Sequence, residues 1–398
     1  MKQGKRMLLF LAVMLLCSAC STGYDEMTDE RRADGQEEQE DRLAEETERL
    51  AEGYRELYEE AVEEGGEDSL ELKQGIVDYL GEAGYAASDR DDQINMANYQ
   101  QAEAFCEKAR QKEPAELTLF SVLDEGRLIR YDMETSDGRI HVALRSLQWK
   151  EGEPEVYYSH EYEAYTWEYT DKGFLFIEEY QPAGYDGPPG RIGFRIKPLD
   201  QRCRELNRKY VLPVGYTRNN LLVTDWGETD YAGLELYDLY EILYRVKYGD
   251  YVPYSAYEGA EYEIPEAEFE EVLQTFFQID SQTIRAKTVY HPDSRTYRYR
   301  PRGLHDAELP YGPYPEVTAY EEQADGTICL TVEAVWERKG LDIAVRSELV
   351  VRPLENGSFQ YVSNAVQSWD EELEFVWYSP RLTDEEWDAW YGEEAMQQ

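Results

Sequence analysis

Apolar side chains recur along the chain with two different spacings, which predict where helices and strands lie. Leu70, Ile76, Val77 and Leu80 share one face of a helix that is expected to end at Gly81. Further helices are predicted at residues 99–110, 200–209, 231–248 and 266–277. Strand-like stretches are predicted at 117–123, 127–133, 139–147, 155–170, 174–179, 283–290, 296–300, 317–322, 327–337, 342–351 and 359–366.

Turn residues between the strand-like stretches favour antiparallel pairing. Asp-Gly at 137–138 and 325–326, and Asn-Gly at 356–357, are typical of two-residue hairpin turns. A helix followed by several such strands occurs in each half of the chain. This order predicts an α+β protein with two domains, each with a helix plus an antiparallel meander sheet, a pattern similar to cystatin-like and NTF2-like folds.

The aromatic, proline-bounded stretch at 251–264 suggests where the two domains meet. We therefore expect a first α+β domain with a linking helix at 69–250 and a second at 251–378. A short C-terminal helix is predicted within residues 379–398, because Thr383 and Glu386 have the spacing of a capping box.

A strongly acidic segment precedes the first predicted domain. Residues 25–68 hold 20 acidic residues and five arginines. Acid-then-base pairs at i, i+4, such as Glu45–Arg49, support a helix. We expect an acidic stalk at 20–68 that is partly helical or disordered. Leucines spaced by seven residues leave a dimerising coiled coil as the alternative.

The N-terminus has the features of a secretory signal. Three basic residues within the first six are followed by an apolar run at 7–16, which is shorter than the roughly 20 residues that span a bilayer. Ser18, Ala19 and Cys20 follow and resemble a lipobox, although Cys17 takes its usual leucine position. We expect a signal peptide at 1–19, palmitate or a related acyl chain on Cys20, and anchoring on the extracytoplasmic face of the membrane. The alternative is an ordinary signal peptide.

Charge and cysteine usage exclude several classes of function. The formal net charge is −44, so a nucleic-acid partner is not expected, because phosphate contacts need clustered Lys and Arg. The lipid bilayer is an expected partner only through acylated Cys20. Beyond it, Cys106, Cys203 and Cys329 permit one disulfide plus a thiol, or three thiols. Beyond the signal, where Cys17 and Cys20 lie, no zinc or redox spacing of cysteines is present.

Candidate catalytic or metal-binding motifs are weak. The four histidines have no paired metal-ligand spacing. Residues 89–100 echo a calcium-binding loop, but Ile94 replaces the required glycine and Gln100 replaces the bidentate glutamate. No catalytic residue, no metal site and no small-molecule cofactor is predicted.

One basic and aromatic cluster stands out in this acidic chain. Alternation along a strand places its tyrosines on one face and its arginines on the other. Such a cluster is a candidate contact surface for an anionic or sugar-bearing partner, since Arg binds carboxylates and Tyr packs on rings. The alternative is that the arginines neutralise nearby glutamates while the tyrosines pack inward. The candidate residues are Arg298, Arg300, Arg302, Tyr297, Tyr299, Tyr311 and Tyr314.

Two segments carry a resemblance to a known family. They are PLDQRCRELNRKYVLPVGYTRNNLLVTDW at 198–226 and GSFQYVSNAV at 357–366. The chain resembles an uncharacterised family of lipoproteins from gut clostridia (Firmicutes), over most of residues 70–370. This resemblance implies an extracytoplasmic location and a similar length, and it implies no mechanism.

These observations favour a lipoprotein anchored at the cell membrane that binds or scaffolds without catalysis. The expected partner is an envelope protein or a wall polymer. The alternative is a carboxylate-dependent envelope hydrolase acting on wall glycan, which would need a deep pocket with two convergent carboxylates. A spacer without a ligand is a third possibility.

Overall fold

Helices and antiparallel sheets alternate along the chain in the computed structural model, which describes residues 40–185, 187–231, 233–255, 259–307, 311–369 and 378–392. The predicted α+β class is confirmed. Two units can be distinguished. The first comprises the described residues up to Asp91, Ala115–Glu134 and His141–Tyr162, and the second comprises Asp92–Pro114, Thr135–Ile140 and the described residues from Glu163 onward.

The first five strands form one sheet in the order β1-β2-β3-β4-β5, in which β1 runs parallel to β2. Asp137 and Gly138 both have positive φ, at 53° and 78°, as the predicted hairpin turn between β3 and β4 requires. The sequence did not predict β1, whose four residues lack β-branched side chains. The elements are residues 40–52 (α1), Arg55–Glu64 (α2), Leu70–Glu82 (α3), Ala86–Asp89 (β1), Tyr99–Arg110 (α4), Ala115–Val122 (β2), Leu128–Ser136 (β3), Arg139–Lys150 (β4) and Glu153–Glu163 (β5).

The acidic segment differs from the predicted solvated stalk over residues 40–68. Thr47, Ala51 and Tyr54 are buried, and the Tyr54 hydroxyl donates to the Gly126 carbonyl at 2.8 Å. Helix α1 and the Tyr54 that follows it bury these side chains against the rest of the first unit, whereas Leu57 and Val62 of α2 are exposed. Folded structure therefore begins before residue 69. Residues 20–39 of the predicted stalk lie outside the described residues.

The second unit contains three antiparallel sheets, ordered β6-β7-β8, β10-β12-β11 and β13-β14-β15-β16-β9. Its strands are Thr166–Tyr169 (β6), Phe174–Glu178 (β7), Arg191–Arg195 (β8), Trp226–Gly227 (β9), Tyr262–Pro265 (β10), Tyr290–His291 (β11), Thr296–Tyr299 (β12), Tyr314–Glu322 (β13), Ile328–Val335 (β14), Val345–Pro353 (β15) and Phe359–Trp369 (β16). The helices after α4 are Gln201–Leu206 (α5, continued by a π-helical turn over Asn207–Val211), Leu236–Tyr248 (α6), Glu266–Phe276 (α7), Ser281–Lys287 (α8) and Asp384–Tyr391 (α9).

The hydrophobic core of the second unit crosses the predicted domain boundary at 250–251. One cluster of buried side chains runs from Cys203 to Tyr361, and helix α6 packs against α7 within it. Trp226 and Gly227, in the predicted first domain, pair with β16 of the predicted second domain. The two predicted domains therefore do not match the two units, because these long-range contacts join both sides of the boundary.

Local signals explain which elements were predicted correctly. Thr383 and Glu386 form the expected capping box, and the short C-terminal helix is confirmed. The strand predicted at 283–290 is wrong, because residues Ser281–Lys287 form α8. The Asp280 side chain accepts a hydrogen bond from the Thr283 backbone N–H at 2.7 Å, so a helix cap outweighs the β-branched residues that suggested a strand.

We expect Tyr54→Ala to lower the free energy of unfolding of the first unit by about 3–5 kcal/mol, the usual cost of truncating a buried aromatic side chain. Tyr54 is buried against Tyr79 and Trp149, and its hydroxyl bond would also be lost. Denaturant unfolding measures the change. Val62→Ala in α2 is the control, since Val62 is exposed and should change stability little. Equal effects of both substitutions would contradict the burial of Tyr54 between α1 and α2.

Candidate functional site

Strand β12 has the predicted alternation of tyrosines and arginines. Tyr297 and Tyr299 point inward and are buried. The Tyr297 hydroxyl donates to Glu270 at 2.6 Å, and the Tyr299 hydroxyl donates to Glu241 at 2.9 Å. Burial raises the pKa of both tyrosines, so both hydroxyls remain donors. These rings are part of the core and are not an exposed contact surface.

The three arginines of the predicted contact surface bind carboxylates of the chain itself. Arg298 and Arg300 donate to the same oxygen of Asp384, at 2.5 and 2.7 Å. Arg302 is almost completely buried and donates twice to Asp238, at 2.9 and 2.6 Å. These are the contacts expected if the arginines neutralise nearby acidic residues, which was the alternative interpretation of the cluster.

The remaining two predicted tyrosines lie elsewhere. Tyr311 is exposed and lines a separate cavity of about 500 Å³ with Arg191 and Arg338. Tyr314 begins β13 and packs against Phe174 and its neighbours in a small apolar cluster. The predicted set therefore does not form one continuous surface, because the chain between residues 302 and 314 carries Tyr311 and Tyr314 away from β12.

Asp238 on α6 lies at the centre of a buried polar network. Its carboxylate is 1% exposed and accepts hydrogen bonds from Arg302, from Arg381 Nε at 2.7 Å and from the Tyr378 hydroxyl at 3.2 Å. Arg381 also donates to Glu241, the acceptor of Tyr299. The network fixes the C-terminal segment against α6 and the end of β12.

A cavity of about 720 Å³ opens beside this network. Its volume lies in the range of small-molecule sites. Apolar, aromatic and basic side chains share its wall, and Glu241 is the one carboxylate among the described residues that line it. The lining residues are Leu212, Pro213, Val214, Gly215, Thr217, Arg218, Glu241, Ile242, Arg245, Tyr251, Val252, Tyr254, Tyr299, Pro301 and Arg302.

Two exposed side chains of this cavity are available to a ligand. Tyr251 is 71% exposed, and the Arg245 guanidinium lies 5.0 Å from the centre of its ring. Within the described part of the chain, Arg245 forms no ion pair with a carboxylate. Glu241 is different, because Tyr299 and Arg381 already donate to it. The cavity thus combines an aromatic face with a guanidinium that has no carboxylate partner in this region.

Sequence reasoning missed Arg245 and Tyr251. They lie six positions apart, on either side of Gly249, whose φ of 73° ends α6. The residues from 251 onward were interpreted as a domain linker, so the aromatic side chains there were not considered as a site. A possible signal was the run of tyrosines and prolines directly after a helix with a basic last turn.

A second buried cluster pairs two carboxylates. Glu316 is 2% exposed, and burial raises its pKa well above the usual range, with the nearby Asp92 carboxylate as a further cause. Arg195 lies 3.5 Å from Glu316, and Arg204 lies 3.2 Å from Asp92. One oxygen of each carboxylate has no hydrogen-bond donor among the residues described. A protonated Glu316 can donate to Asp92 and satisfy both groups.

The described residues offer neither a cluster of metal ligands nor, at Cys106, a reactive thiol. No group of three or more His, Cys, Asp or Glu side chains in this part of the chain is arranged to hold a metal ion. Cys106, Cys203 and Cys329 are all free thiols, which decides between the two cysteine arrangements left open by the sequence. Burial raises the pKa of Cys106 to about 12, so this thiol is a poor nucleophile at neutral pH.

The chain thus folds as an α+β protein, and aromatic and basic side chains line its cavity beside α6. The chain belongs to a family of unknown function, DUF6070, whose model matches residues 40–381. No curated protein and no solved structure was found to match the chain. Among the described helices, none is both long enough and apolar enough to cross a membrane.

We expect Glu316→Gln to become more stable relative to the parent as pH rises above about 4.5. The parent carboxyl has a raised pKa in the folded state, so the folded protein holds this proton more tightly than the unfolded chain. Its stabilising contribution is present below the unfolded pKa and is lost as pH rises through the folded pKa. Denaturant unfolding of both proteins between pH 4 and pH 8 measures the difference. A difference that is constant across this range would contradict the assignment.

Proposed function

We propose that this protein is a lipid-anchored, extracytoplasmic module that binds or scaffolds without catalysis, and that its ligand site is the 720 Å³ cavity beside α6. The observation that carries the proposal is the pair of Arg245 and Tyr251 at the open wall of that cavity. An exposed aromatic ring next to a guanidinium can pack on a sugar ring and pair with a carboxylate of the same ligand.

A wall glycan with carboxylate groups is the ligand class that fits this chemistry best. Tyr251 and Tyr254 offer flat aromatic surfaces, and Arg245 offers the cation. Glu241, one helical turn before Arg245, accepts hydrogen bonds from Tyr299 and Arg381, and Arg245 makes no ion pair within the described residues. We therefore place the glycan contact at the end of α6, whereas the sequence had predicted a contact on β12.

The proposed location depends on the N-terminal sequence. Residues 1–19 and Cys20 lie outside the described residues. Their support is the short apolar run after three basic residues and the lipobox-like sequence that ends at Cys20. The resemblance to clostridial lipoproteins points to the same location. Two acyl chains or more on Cys20 would hold the protein at the membrane, since each buried CH₂ contributes about 0.8 kcal/mol.

The hydrolase alternative is not adopted. A glycosidase needs two carboxylates about 5–9.5 Å apart across the sugar site. Among the lining residues that the structure describes, Glu241 is the one carboxylate, and it already accepts hydrogen bonds from Tyr299 and Arg381. This geometry favours binding over hydrolysis.

We expect the parent protein to incorporate labelled palmitate in its bacterial host, and Cys20→Ala to lose the label and leave the membrane fraction. The reason is that the acyl chain can attach only to the new N-terminal cysteine. Cys329→Ala is the matched control, because Cys329 is a free thiol elsewhere in the chain and the variant should keep the label. Label that persists in Cys20→Ala would refute the proposed anchoring.

We expect the double variant Arg245→Gln, Tyr251→Ala to bind purified wall glycan at least about tenfold more weakly than the parent. The two substitutions remove the cation and the exposed ring, and a tenfold loss corresponds to about 1.4 kcal/mol. Co-sedimentation of the soluble chain from residue 40 onward, or of the full chain in detergent, measures the affinity.

The control for this experiment is Tyr157→Ala. Tyr157 is 53% exposed on β5 and does not line the cavity, so its loss should leave glycan binding unchanged. If the parent fails to bind the glycan, or if the control and the double variant lose affinity equally, the cavity is not a glycan site.

A further inference from the structure

The outward face of β12 is covered by the chain's own C-terminal helix. Asp384, the first residue of α9, brings one carboxylate oxygen between Arg298 and Arg300, at 2.5 and 2.7 Å. The Arg300 guanidinium lies 3.9 Å from the centre of the Trp387 ring, one turn further along the helix. The helix thus presents a carboxylate and an aromatic ring, three residues apart, to two arginines.

These contacts are made at the protein surface. None of the residues of α9 is buried, and the Asp384 side chain is 63% exposed. Exposed ion pairs contribute about 0–1 kcal/mol each, and an exposed cation–π contact contributes about 0.5–1 kcal/mol. Trp390 of α9 also stacks on His305, with ring centroids 3.7 Å apart, and is 53% exposed. Helix α9 is therefore held by partly exposed side chains, whereas the Arg381 side chain that precedes it is largely buried.

The residues just before α9 are held firmly. Arg381 donates to Asp238 and Glu241 in the buried network, and the Tyr378 hydroxyl donates to Asp238. Residues 382–383 therefore join the firmly held Arg381 to α9, and they are where the chain would turn if α9 left β12. Its own capping box, between Thr383 and Glu386, does not involve β12.

A small cavity of about 180 Å³ lies between α9 and the body of the second unit. Four cations line it, and only two of its three carboxylates come from the body. The third is Asp384. Burial raises the pKa of one body carboxylate, Glu235, which favours its neutral form. Arg381 is also paired with Asp238 and Glu241, and Arg300 with Glu261, so removal of α9 would take one carboxylate away and leave Arg298 without its Asp384 partner. The charged lining residues are Lys287, Arg298, Arg300, Arg381, Glu235, Asp306 and Asp384.

We propose that the outward face of β12 is a second binding site, for an acidic and aromatic helical segment of a partner protein, and that α9 occupies it as an internal ligand in the structure described. The site recognises a carboxylate between Arg298 and Arg300 and an aromatic ring on Arg300. This site is separate from the glycan cavity and does not depend on it.

A peptide segment fits this site better than a small anion does. A free anion would satisfy the two guanidinium groups, but it would leave the ring position over Arg300 empty. A helix supplies both groups, because residues i and i+3 lie on the same face. The partner therefore has to displace α9, and α9 competes at an effective concentration on the order of millimolar, as is usual for a segment on a short tether.

The test uses a fluorescently labelled synthetic peptide, TDEEWDAWY, with the sequence of residues 383–391. Fluorescence anisotropy measures its binding to the protein chain. We expect the double variant Asp384→Asn, Trp387→Ala to bind the peptide at least tenfold more tightly than the parent, because the site is no longer occupied by its own helix. The single variant Asp384→Asn is nearly isosteric and should show a smaller gain in the same direction.

Two controls separate this site from unspecific binding. Adding Arg298→Gln and Arg300→Gln to the double variant should abolish peptide binding. A peptide in which Asn and Ala replace the aspartate of position 384 and the tryptophan of position 387 should not bind to any variant. Far-UV circular dichroism and a thermal melt establish that each variant is folded.

Equal peptide affinity in the parent and the double variant would overturn the proposal, since α9 would then not compete for the site. Failure of a folded double variant to bind the peptide at millimolar concentration would also overturn it. Binding that survives the two Arg→Gln substitutions would place the peptide elsewhere and would equally contradict the proposed site.

Discussion

The buried carboxylate of Asp238 is the group on which the organisation of the second unit depends. A charged carboxylate that is 1% exposed is stable only when cations and hydrogen-bond donors replace its water. Arg302 and Arg381 supply the cations, and Tyr378 supplies a further donor. Because these residues come from α6, from the end of β12 and from the C-terminal segment, one ionic cluster fixes the position of three parts of the chain.

The two proposed sites lie on either side of β12 as a consequence of this arrangement. Tyr299 packs on Tyr240 of α6 and lines the large cavity, and Tyr297 packs on Phe269 of α7. The outward arginines face α9. Alternation along a strand makes these two faces different without any further element. Arg302, which follows the strand, contributes to the cavity wall and to the ionic cluster.

In so acidic a chain, whether an arginine is paired with a carboxylate helps to show whether it can bind a ligand. Arg298, Arg300 and Arg302 are all paired with carboxylates, as a chain with 84 acidic and 40 basic residues favours. The strengths of these pairs differ, because Arg302 is buried with its partner whereas Asp384 stays largely in water. Arg245, with an aromatic neighbour in place of a carboxylate, is therefore the more informative residue for ligand binding.

The sequence by itself determined what depends on neighbouring residues. Periodicity gave α3, α4 and α7, spacing gave the Thr383–Glu386 capping box, and alternation gave the two faces of β12. The partners of that strand lie far away in sequence. Asp238 is 64 positions from Arg302, and Asp384 is 86 positions from Arg298. Only the tertiary structure decided that Arg298, Arg300 and Arg302 are paired with carboxylates and that Arg245 is not. The reason is that burial and charge pairing depend on distances in space that sequence spacing does not encode.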